Sequence, residues 1–125
     1  MVKTRTRTMF LLTYTPRDGV DLDEYHEWLR KVDNPFFNSR PAVRHYTNWR
    51  VVDRKLGTST FTHFDLLYID DLDSYEKVFG DQAVEAFARE WVRKWGKIPD
   101  PDHPDQAQNY QVLLCERIAG PDDEG

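Results

Sequence analysis

Hydrophobic and polar positions follow two periods along this chain, one of about two residues and one of about 3.6 residues. Runs rich in β-branched and aromatic residues, bounded by turn-forming residues, predict four strands at residues 8–15, 43–52, 59–69 and 110–118. The short polar interval at residues 53–57 contains Gly57 and predicts a hairpin between the second and third strands. The chain therefore has enough strand-forming sequence for one four-stranded sheet.

The first helix is predicted between the first and second strands. Asp21 or Asp23 can cap its start, and it runs to about Val32. Pro35 disfavours helical angles at the residue before it and marks the expected end. The apolar positions of this region follow helical spacing and should face the core; they are Leu22, Tyr25, Leu29, Val32 and Phe36.

The second helical region is predicted between the third and fourth strands. It starts near residues 70–71, is interrupted at Gly80, and resumes after a capping Asp81 to about residue 95. Its large apolar residues recur at i, i+3, i+7 and i+11, which predicts a core stripe made of Val84, Phe87, Trp91 and Trp95. A proline- and aspartate-rich polar loop follows at residues 99–105.

The element order predicts an α+β fold of the ferredoxin-like type. This order is β-α-β-β-α-β, which gives an antiparallel sheet with helices on one face. Residues 1–119 are expected to form this single domain, and residues 120–125 a disordered tail. The strands carry apolar residues on both faces, among them Phe10, Leu12, Phe64, Leu66, Leu67 and Ile69. A second copy of the sheet would cover the free face, so we expect a homodimer, a dimeric α/β barrel.

Composition and charge exclude several classes of protein. The chain has 125 residues, of which 39% are hydrophobic, and a formal net charge of -5, which disfavours binding to nucleic acid. A single cysteine, Cys115, precludes an internal disulfide. The sequence has no long apolar span and no apolar N-terminal region, so we expect no membrane insertion and a cytoplasmic location.

The ionisable residues that could carry chemistry lie on elements predicted to face the core. His26 and Asp33 are seven residues apart, which places them on one side of a helix about 10 Å apart. If the hairpin centres on Lys55, His45 lies opposite Asp65. The register also places His63 on that face, where a carboxylate would raise the pKa of a histidine and orient it as a general base.

Two alternatives to an acid/base cluster remain open at this point. A register slip of one residue would send Asp65 to the face opposite His45, and the cluster would then be a polar edge. Two histidines and a carboxylate can also bind a metal ion. Because neighbouring strand residues rarely converge well enough to do so, we predict no metal and no cofactor. Side chains expected to bind the substrate by stacking or hydrogen bonding are Tyr14, Trp28, Phe37, Asn38, Tyr46 and Trp49.

Four segments of the chain resemble the RedY-like (HapK-like) family within the dimeric α/β-barrel superfamily. They are Phe10-Leu11-Leu12-Thr13-Tyr14, Tyr25-His26-Glu27-Trp28-Leu29, Asp33-Asn34-Pro35-Phe36-Phe37 and Pro41-Ala42-Val43-Arg44-His45-Tyr46. The more distant EthD-like group has His-x-Pro and Pro-Gly-Val at the corresponding places. Here Asp33 stands where that histidine would be and Ala42 replaces the glycine, so Asp33 would have to supply a carboxylate instead.

The resemblance implies a small, cofactor-independent, dimeric protein of bacterial secondary metabolism. Its substrate would be a pyrrole or indole intermediate of the prodiginine or bisindole type, and its reaction a cyclisation. Three histidines would be the acid/base groups and two aspartates would orient or polarise them; these candidates are His26, His45, His63, Asp33 and Asp65. The alternatives are a cofactor-free monooxygenase and a non-catalytic binder or chaperone of a reactive aromatic intermediate.

Overall fold

A single antiparallel sheet organises the protein, as seen in a computed structural model that describes residues 8–96 and 110–121. The strands follow the order β2-β3-β1-β4 across the sheet, and they are β1 (Thr8–Tyr14), β2 (Val43–Arg50), β3 (His63–Ile69) and β4 (Gln111–Glu116). The helices are α1 (Leu22–Trp28), α2 (Asn34–Asn38), α3 (Tyr75–Phe79) and α4 (Gln82–Lys94). The predicted α+β ferredoxin-like fold is confirmed.

The starts of α1 and α4 agree with the sequence-based expectations, whereas α3 begins at Tyr75 and not near residues 70–71. The side chain of Asp21 accepts a hydrogen bond from the backbone N–H of Glu24 at 3.2 Å and caps α1. The side chain of Asp81 accepts one from Ala83 at 2.8 Å and caps α4. These oxygens satisfy backbone donors that a helix start otherwise leaves without a partner.

The helix after β1 differs from the prediction at its C-terminal end. A π-helical turn, Leu29–Asp33, joins α1 to α2, and the backbone N–H of Asn34 donates to the carbonyl of Leu29. The extra residue in this turn shifts the phase of the helix. As a result, Val32 is 41% exposed and Asp33 is buried, which is the reverse of the predicted stripe.

Leu22, also predicted to face the core, is exposed, whereas Tyr25 and Leu29 are buried as expected.

The hairpin between β2 and β3 also differs from the prediction. The paired strands end at Arg50 and begin at His63, so the connection at residues 51–62 is longer than the predicted turn. His45 pairs with Tyr68, and Asn48 pairs with Asp65. The predicted register is therefore wrong by three residues. Because an odd shift moves side chains to the other face, His45 and Asp65 lie on opposite faces of the sheet.

The hydrophobic core lies between one face of the sheet and the helices. Its members come from three strands and three helices: Phe10, Leu12, Phe37, Val43, Tyr46, Leu67, Ile69, Val78 and Val84. The predicted stripe on α4 packs inward, because Val84 and Trp95 are buried and Phe87 and Trp91 are half-buried. The core therefore accounts for the α4 pattern seen in the sequence.

The opposite face of the sheet has half-buried apolar side chains, namely Met9, Leu11, Phe64, Leu66 and Tyr68. In the described part of the chain, all helices that contribute to the core lie on the other face. The predicted polar loop at residues 99–105 and the end of the predicted tail at residues 122–125 lie outside the described residues.

Candidate active site

A cavity of about 360 Å³, here called the inner pocket, lies between the sheet and the helices. Its walls are largely aromatic, with Phe37, Phe79, Phe87 and Trp91 among the lining residues. Polar groups from the strands, from α1 and from the π-helical turn also line it, among them Tyr14, Tyr25, Asp33, Tyr46 and Asp65. The inner pocket thus combines flat apolar walls with a small number of buried polar groups, as small-molecule sites commonly do.

Asp33 and Asp65, here called the carboxylate pair, share two hydrogen-bonding partners. The Tyr46 hydroxyl oxygen lies 2.7 Å from Asp33 Oδ2 and 3.2 Å from Asp65 Oδ2. The Asn48 Nδ2 lies 2.9 Å from Asp33 Oδ2 and 2.9 Å from Asp65 Oδ1. The π-helical turn brings the first carboxyl group to the sheet, and the β2–β3 register places Asn48 opposite the second.

The shared tyrosine favours a proton on the pair. Tyr46 has a single hydroxyl proton, so it can give a strong hydrogen bond to only one carboxylate at a time. A proton on the other carboxyl group turns the second contact into a full hydrogen bond to the Tyr46 oxygen. Two buried carboxyl groups in contact with the same atoms cannot both ionise cheaply, so the arrangement favours one negative charge on the pair.

The pKa values of the pair move in the direction that this geometry requires. Burial raises the pKa of Asp33 to about 6, although hydrogen bonds from Tyr46 and Asn48 oppose the shift. Burial raises the pKa of Asp65 well above its usual range, and the neighbouring Asp33 charge raises it further. A carboxyl group that titrates near neutral pH can both accept and return a proton.

A ladder of asparagines fixes the orientation of Asn48. Asn34 Nδ2 donates to Asn48 Oδ1 at 3.0 Å, which leaves the Asn48 amide nitrogen facing the carboxylate pair. Asn38 Nδ2 donates to Asn34 Oδ1 at 2.9 Å, and Asn38 Oδ1 accepts from the backbone N–H of Tyr46 at 3.0 Å. The NPFFN segment therefore ties the helix to β2 directly behind the carboxyl groups.

A second cavity of about 670 Å³, here called the outer cleft, is lined by α1, the π-helical turn and β2. At its wall His26 and His63, here called the imidazole pair, face each other with their Nε2 atoms 2.9 Å apart. His63 Nδ1 also lies 2.8 Å from the Thr62 hydroxyl oxygen. Asn34 and Asn48 line the outer cleft as well, so the asparagine ladder lies between the two cavities.

The imidazole pair has the opposite electrostatic character to the carboxylate pair. Burial, reinforced by the interactions with His26 and Arg50, lowers the pKa of His63 to about 4. Burial also lowers the pKa of His26, with contributions from Arg50 and Arg30. The expectation that a carboxylate would raise the pKa of a histidine here is therefore wrong, and both imidazoles are neutral at pH 7.

The structure brings together some of the predicted site residues and separates others. Tyr14, Phe37, Tyr46, Asp33 and Asp65 line the inner pocket, while His26, His63 and Trp49 line the outer cleft. His45 is exposed on the other face of the sheet, where its ring lies 5.8 Å from that of Tyr68.

Two predicted substrate-binding residues have structural contacts instead. Trp28 stacks on Phe87 at 5.5 Å and on Tyr25 at 6.2 Å, and it does not line either cavity. Asn38 supports the backbone of Tyr46 as described above. Sequence reasoning missed the role of Asn34, although its i, i+4 spacing from Asn38 is a signal that the two amides meet on a helix.

Residues 8–96 and 110–121 contain neither a metal-binding cluster nor a helix that could span a membrane. No group of three or more His, Cys, Asp or Glu side chains in that part of the chain could hold a metal ion. None of its helices is long and apolar enough to cross a membrane.

Comparison with known proteins gives a family assignment. The family model described as REDY-like protein HapK matches residues 8–100, which is most of the chain. The chain belongs to the REDY-like HapK family. The predicted RedY-like resemblance is confirmed at this level. No curated protein matches the sequence.

Solved structures with the same fold share little sequence with this HapK-family protein. HapK from Hahella chejuensis gives a TM-score of 0.65 at 12% identity, over 94% of this chain and 99% of that chain. An ethyl tert-butyl ether D (EthD) family protein from Bacillus halodurans gives 0.64 at 16% identity, over 90% and 99%. A DABB family protein with a ferredoxin-like fold from Mesorhizobium loti gives 0.61 at 10% identity, over 92% and 100%.

Proposed function

We propose that this protein is a cofactor-independent acid/base enzyme of bacterial secondary metabolism. Its substrate is a pyrrole or indole intermediate of the prodiginine or bisindole type, and its reaction is a cyclisation. The observation that carries the proposal is the carboxylate pair, two buried carboxyl groups that share Tyr46 and Asn48 inside an aromatic pocket. Membership of the HapK family supports a role in a biosynthetic pathway.

The carboxylate pair can perform both proton transfers that a ring closure requires. The ionised member removes the proton from a ring N–H, and the electron pair left on nitrogen makes the ring carbon atoms more nucleophilic. The protonated member gives its proton to the atom that becomes negatively charged, and the pair ends with the same single proton that it had at the start. Positioned general acid/base groups typically contribute about 10²–10⁴-fold to a rate.

The aromatic walls of the inner pocket suit a flat ring system. Phe87 and Phe37 contact each other edge to face at 5.5 Å, and Trp91 closes another side of the pocket. Ring faces of this kind favour stacked or edge-on contacts with an aromatic ligand. The volume of about 360 Å³ lies at the lower end of ordinary ligand pockets, so it limits the size of the ring system that the pocket can take.

The first test is turnover of bipyrrole and bisindole intermediates, followed by mass spectrometry of the products. The wild type is expected to give a cyclised product, and Asp33→Asn to lower kcat by at least about 10²-fold. Asp53→Asn is the matched control, since Asp53 is exposed in the loop after β2 and pairs only with Lys55 among the described residues. Equal turnover by Asp33→Asn and the control would refute the proposal.

A non-catalytic binder or chaperone is the alternative outcome of the same experiment. In that case the intermediates bind, no product forms with any variant, and Asp33→Asn alters affinity only. An oxygenated product would instead indicate the cofactor-free monooxygenase. Comparing products formed with and without oxygen distinguishes this reaction from cyclisation.

We also propose that the protein is a cytoplasmic homodimer. The apolar sheet face formed by Met9, Leu11, Phe64, Leu66 and Tyr68 supports a second copy as its cover, because large exposed apolar surfaces are costly in a monomer. Light scattering should give about twice the mass of the chain, which is 14.9 kDa. Leu66→Arg should give the monomer mass; a monomeric wild type would refute the dimer and leave the inner-pocket proposal untouched.

A further inference from the structure

Three side chains with ring N–H or O–H groups form a hydrogen-bonded chain at the inner pocket. Trp91 Nε1 donates to the Tyr25 hydroxyl oxygen at 2.8 Å, and the Tyr25 and Tyr14 hydroxyl oxygens are 2.9 Å apart. We call these three residues the hydroxyl chain. All three line the inner pocket, and both tyrosines are buried.

The hydroxyl chain runs from Trp91 through Tyr25 to Tyr14. An indole N–H can only donate, so the Tyr25 oxygen accepts from Trp91. At the next contact the Tyr25 hydroxyl donates to the Tyr14 oxygen. Tyr14 therefore retains a hydroxyl proton of its own, and no residue of the described chain accepts it.

The hydroxyl chain ends beside the carboxylate pair. Tyr14 and Asp65 lie on the same sheet face, because Tyr14 pairs with His63 and Asp65 is two residues further along β3. Burial raises the pKa of Tyr14, and the Asp65 and Asp33 charges raise it further, which is consistent with this closeness. An acidic pair and an unused O–H donor thus line one small cavity.

We propose that Tyr14 donates its hydroxyl proton to an oxygen of the ligand, so that the inner pocket selects aromatic heterocycles with a carbonyl group. Tyr25 and Trp91 are positioning residues in this scheme, because they orient the donor without touching that oxygen. The inference rests on the proposed function for the aromatic character of the ligand. A carbonyl oxygen is the acceptor that a neutral hydroxyl donor recognises, and a hydrocarbon group there would leave the buried hydroxyl unpaired.

The hydroxyl chain would also stabilise the negative charge that the proton transfer creates on the carbonyl oxygen. When the carboxylate pair removes a ring N–H proton, the electron pair left on nitrogen is delocalised through the conjugated ring onto the carbonyl oxygen. The hydroxyl chain then donates to an oxygen that has become negative, and hydrogen bonds to a charged acceptor are stronger than those to a neutral one. A chain of donors that polarise one another adds to this effect.

Binding of two probes of nearly equal size tests the inference without requiring turnover. Indole-3-carbaldehyde has a carbonyl group where 3-methylindole has only a methyl group. The wild type is expected to bind the aldehyde roughly tenfold more tightly in calorimetry, which corresponds to one hydrogen bond with a buried donor. In Tyr14→Phe this preference should vanish while 3-methylindole still binds. In Trp91→Phe it should decrease, because the indole N–H no longer competes with Tyr14 as a donor to the Tyr25 oxygen.

Tyr75→Phe is the matched control, since Tyr75 lines the same pocket and is not part of the hydroxyl chain. It should preserve the preference for the aldehyde. Should Tyr14→Phe fail to fold, the wild type still gives an answer by proton NMR. Its Tyr14 hydroxyl resonance should move downfield with the aldehyde and stay in place with 3-methylindole.

Three outcomes would overturn the inference. Equal binding of both probes by the wild type would refute the carbonyl preference and leave the proposed acid/base function standing. A preference that persists in Tyr14→Phe would assign the contact to another donor. If neither probe binds, the inner pocket does not take an aromatic heterocycle of this size, and the proposed function fails together with the inference.

Discussion

The carboxylate pair and the imidazole pair lie on either side of the asparagine ladder and differ in almost every physical respect. The carboxyl groups of Asp33 and Asp65 meet in the inner pocket through two shared hydrogen-bonding partners. The rings of His26 and His63 meet directly at the wall of the outer cleft. Burial raises the pKa of both carboxyl groups and lowers the pKa of both imidazoles.

The comparison shows that residue type alone does not identify an acid/base group. Histidine usually titrates near neutral pH, but here burial without a carboxylate partner keeps the imidazole pair uncharged. Aspartate usually ionises well below neutral pH, but burial beside a second carboxyl group moves Asp33 to about 6. The proton that is available at physiological pH therefore resides on the carboxylate pair.

The largest expected effect is on turnover by variants of the carboxylate pair. Asp33→Asn and Asp65→Asn should each lower kcat/KM by about 10²–10⁴-fold, because either change removes the ability to hold a single shared proton. The double variant should lose little more than either single variant, since groups that act as a unit give non-additive effects. Kinetics of the two single variants and the double variant would check this.

The matching change in the outer cleft is the control for that prediction. His26→Gln and His63→Gln should each reduce kcat/KM by less than about tenfold, because a neutral imidazole that stays neutral contributes no proton. A larger loss in the histidine variants than in the aspartate variants would reverse the assignment and place the acid/base centre in the outer cleft.

The next largest effect is on stability as a function of pH. The folded-state pKa of Asp33, about 6, is above its value in the unfolded chain, so the folded state binds more protons between about pH 4 and 6. The contribution of the Asp33 carboxyl group to the free energy of unfolding of the wild type is therefore fully present at low pH. It is lost as the pH rises through about 6. Relative to wild type, Asp33→Asn should gain about 1–3 kcal/mol in the free energy of unfolding between about pH 4 and pH 8.

Urea denaturation at several pH values measures this difference. Asp53→Asn should show no such gain, because its side chain is exposed. A difference between Asp33→Asn and wild type that stays constant across the pH range would show that Asp33 ionises as it does in the unfolded chain.

A pH effect of the opposite sign is expected for the imidazole pair. The folded-state pKa of His63, about 4, is below its value in the unfolded chain, so the unfolded state binds more protons between about pH 4 and 6.5. Its contribution is complete above that window and is lost as the pH falls through it. His63→Asn should therefore gain stability relative to wild type as the pH is lowered, in the same urea experiments. A gain as the pH is raised would contradict the lowered pKa.

Much of the fold was predictable because it depends on patterns that are local in the sequence. The strand runs, the caps at Asp21 and Asp81, and the stripe on α4 each need only a few neighbouring residues. The π-helical turn was not predictable in this way, because a single extra residue in a helix leaves the local composition unchanged. Its consequence is large, since it turns Asp33 inward in place of Val32.

The site was only partly predictable because it depends on how separate elements meet. His26, Asp33, His63 and Asp65 were identified as ionisable residues on converging elements, and the structure places all four at the two cavities. Their partners were not predicted, because partner choice follows from strand register and from the helix phase. The hydrogen bond from Asn34 to Asn48 and the order of the hydroxyl chain can be recognised only when distances between atoms are known.

The smallest expected effect concerns His45, whose predicted place in the cluster depended entirely on the register. The bulge between Val43 and His45 and the longer β2–β3 connection set a register in which His45 pairs with Tyr68. Its exposed side chain then lies across the sheet from the inner pocket. His45→Ala should therefore change kcat/KM by less than about twofold, as surface substitutions away from a site usually do. A loss as large as that of Asp33→Asn would mean that the face carrying His45 takes part in the reaction, and the distinction drawn between the carboxylate pair and the histidines would fail.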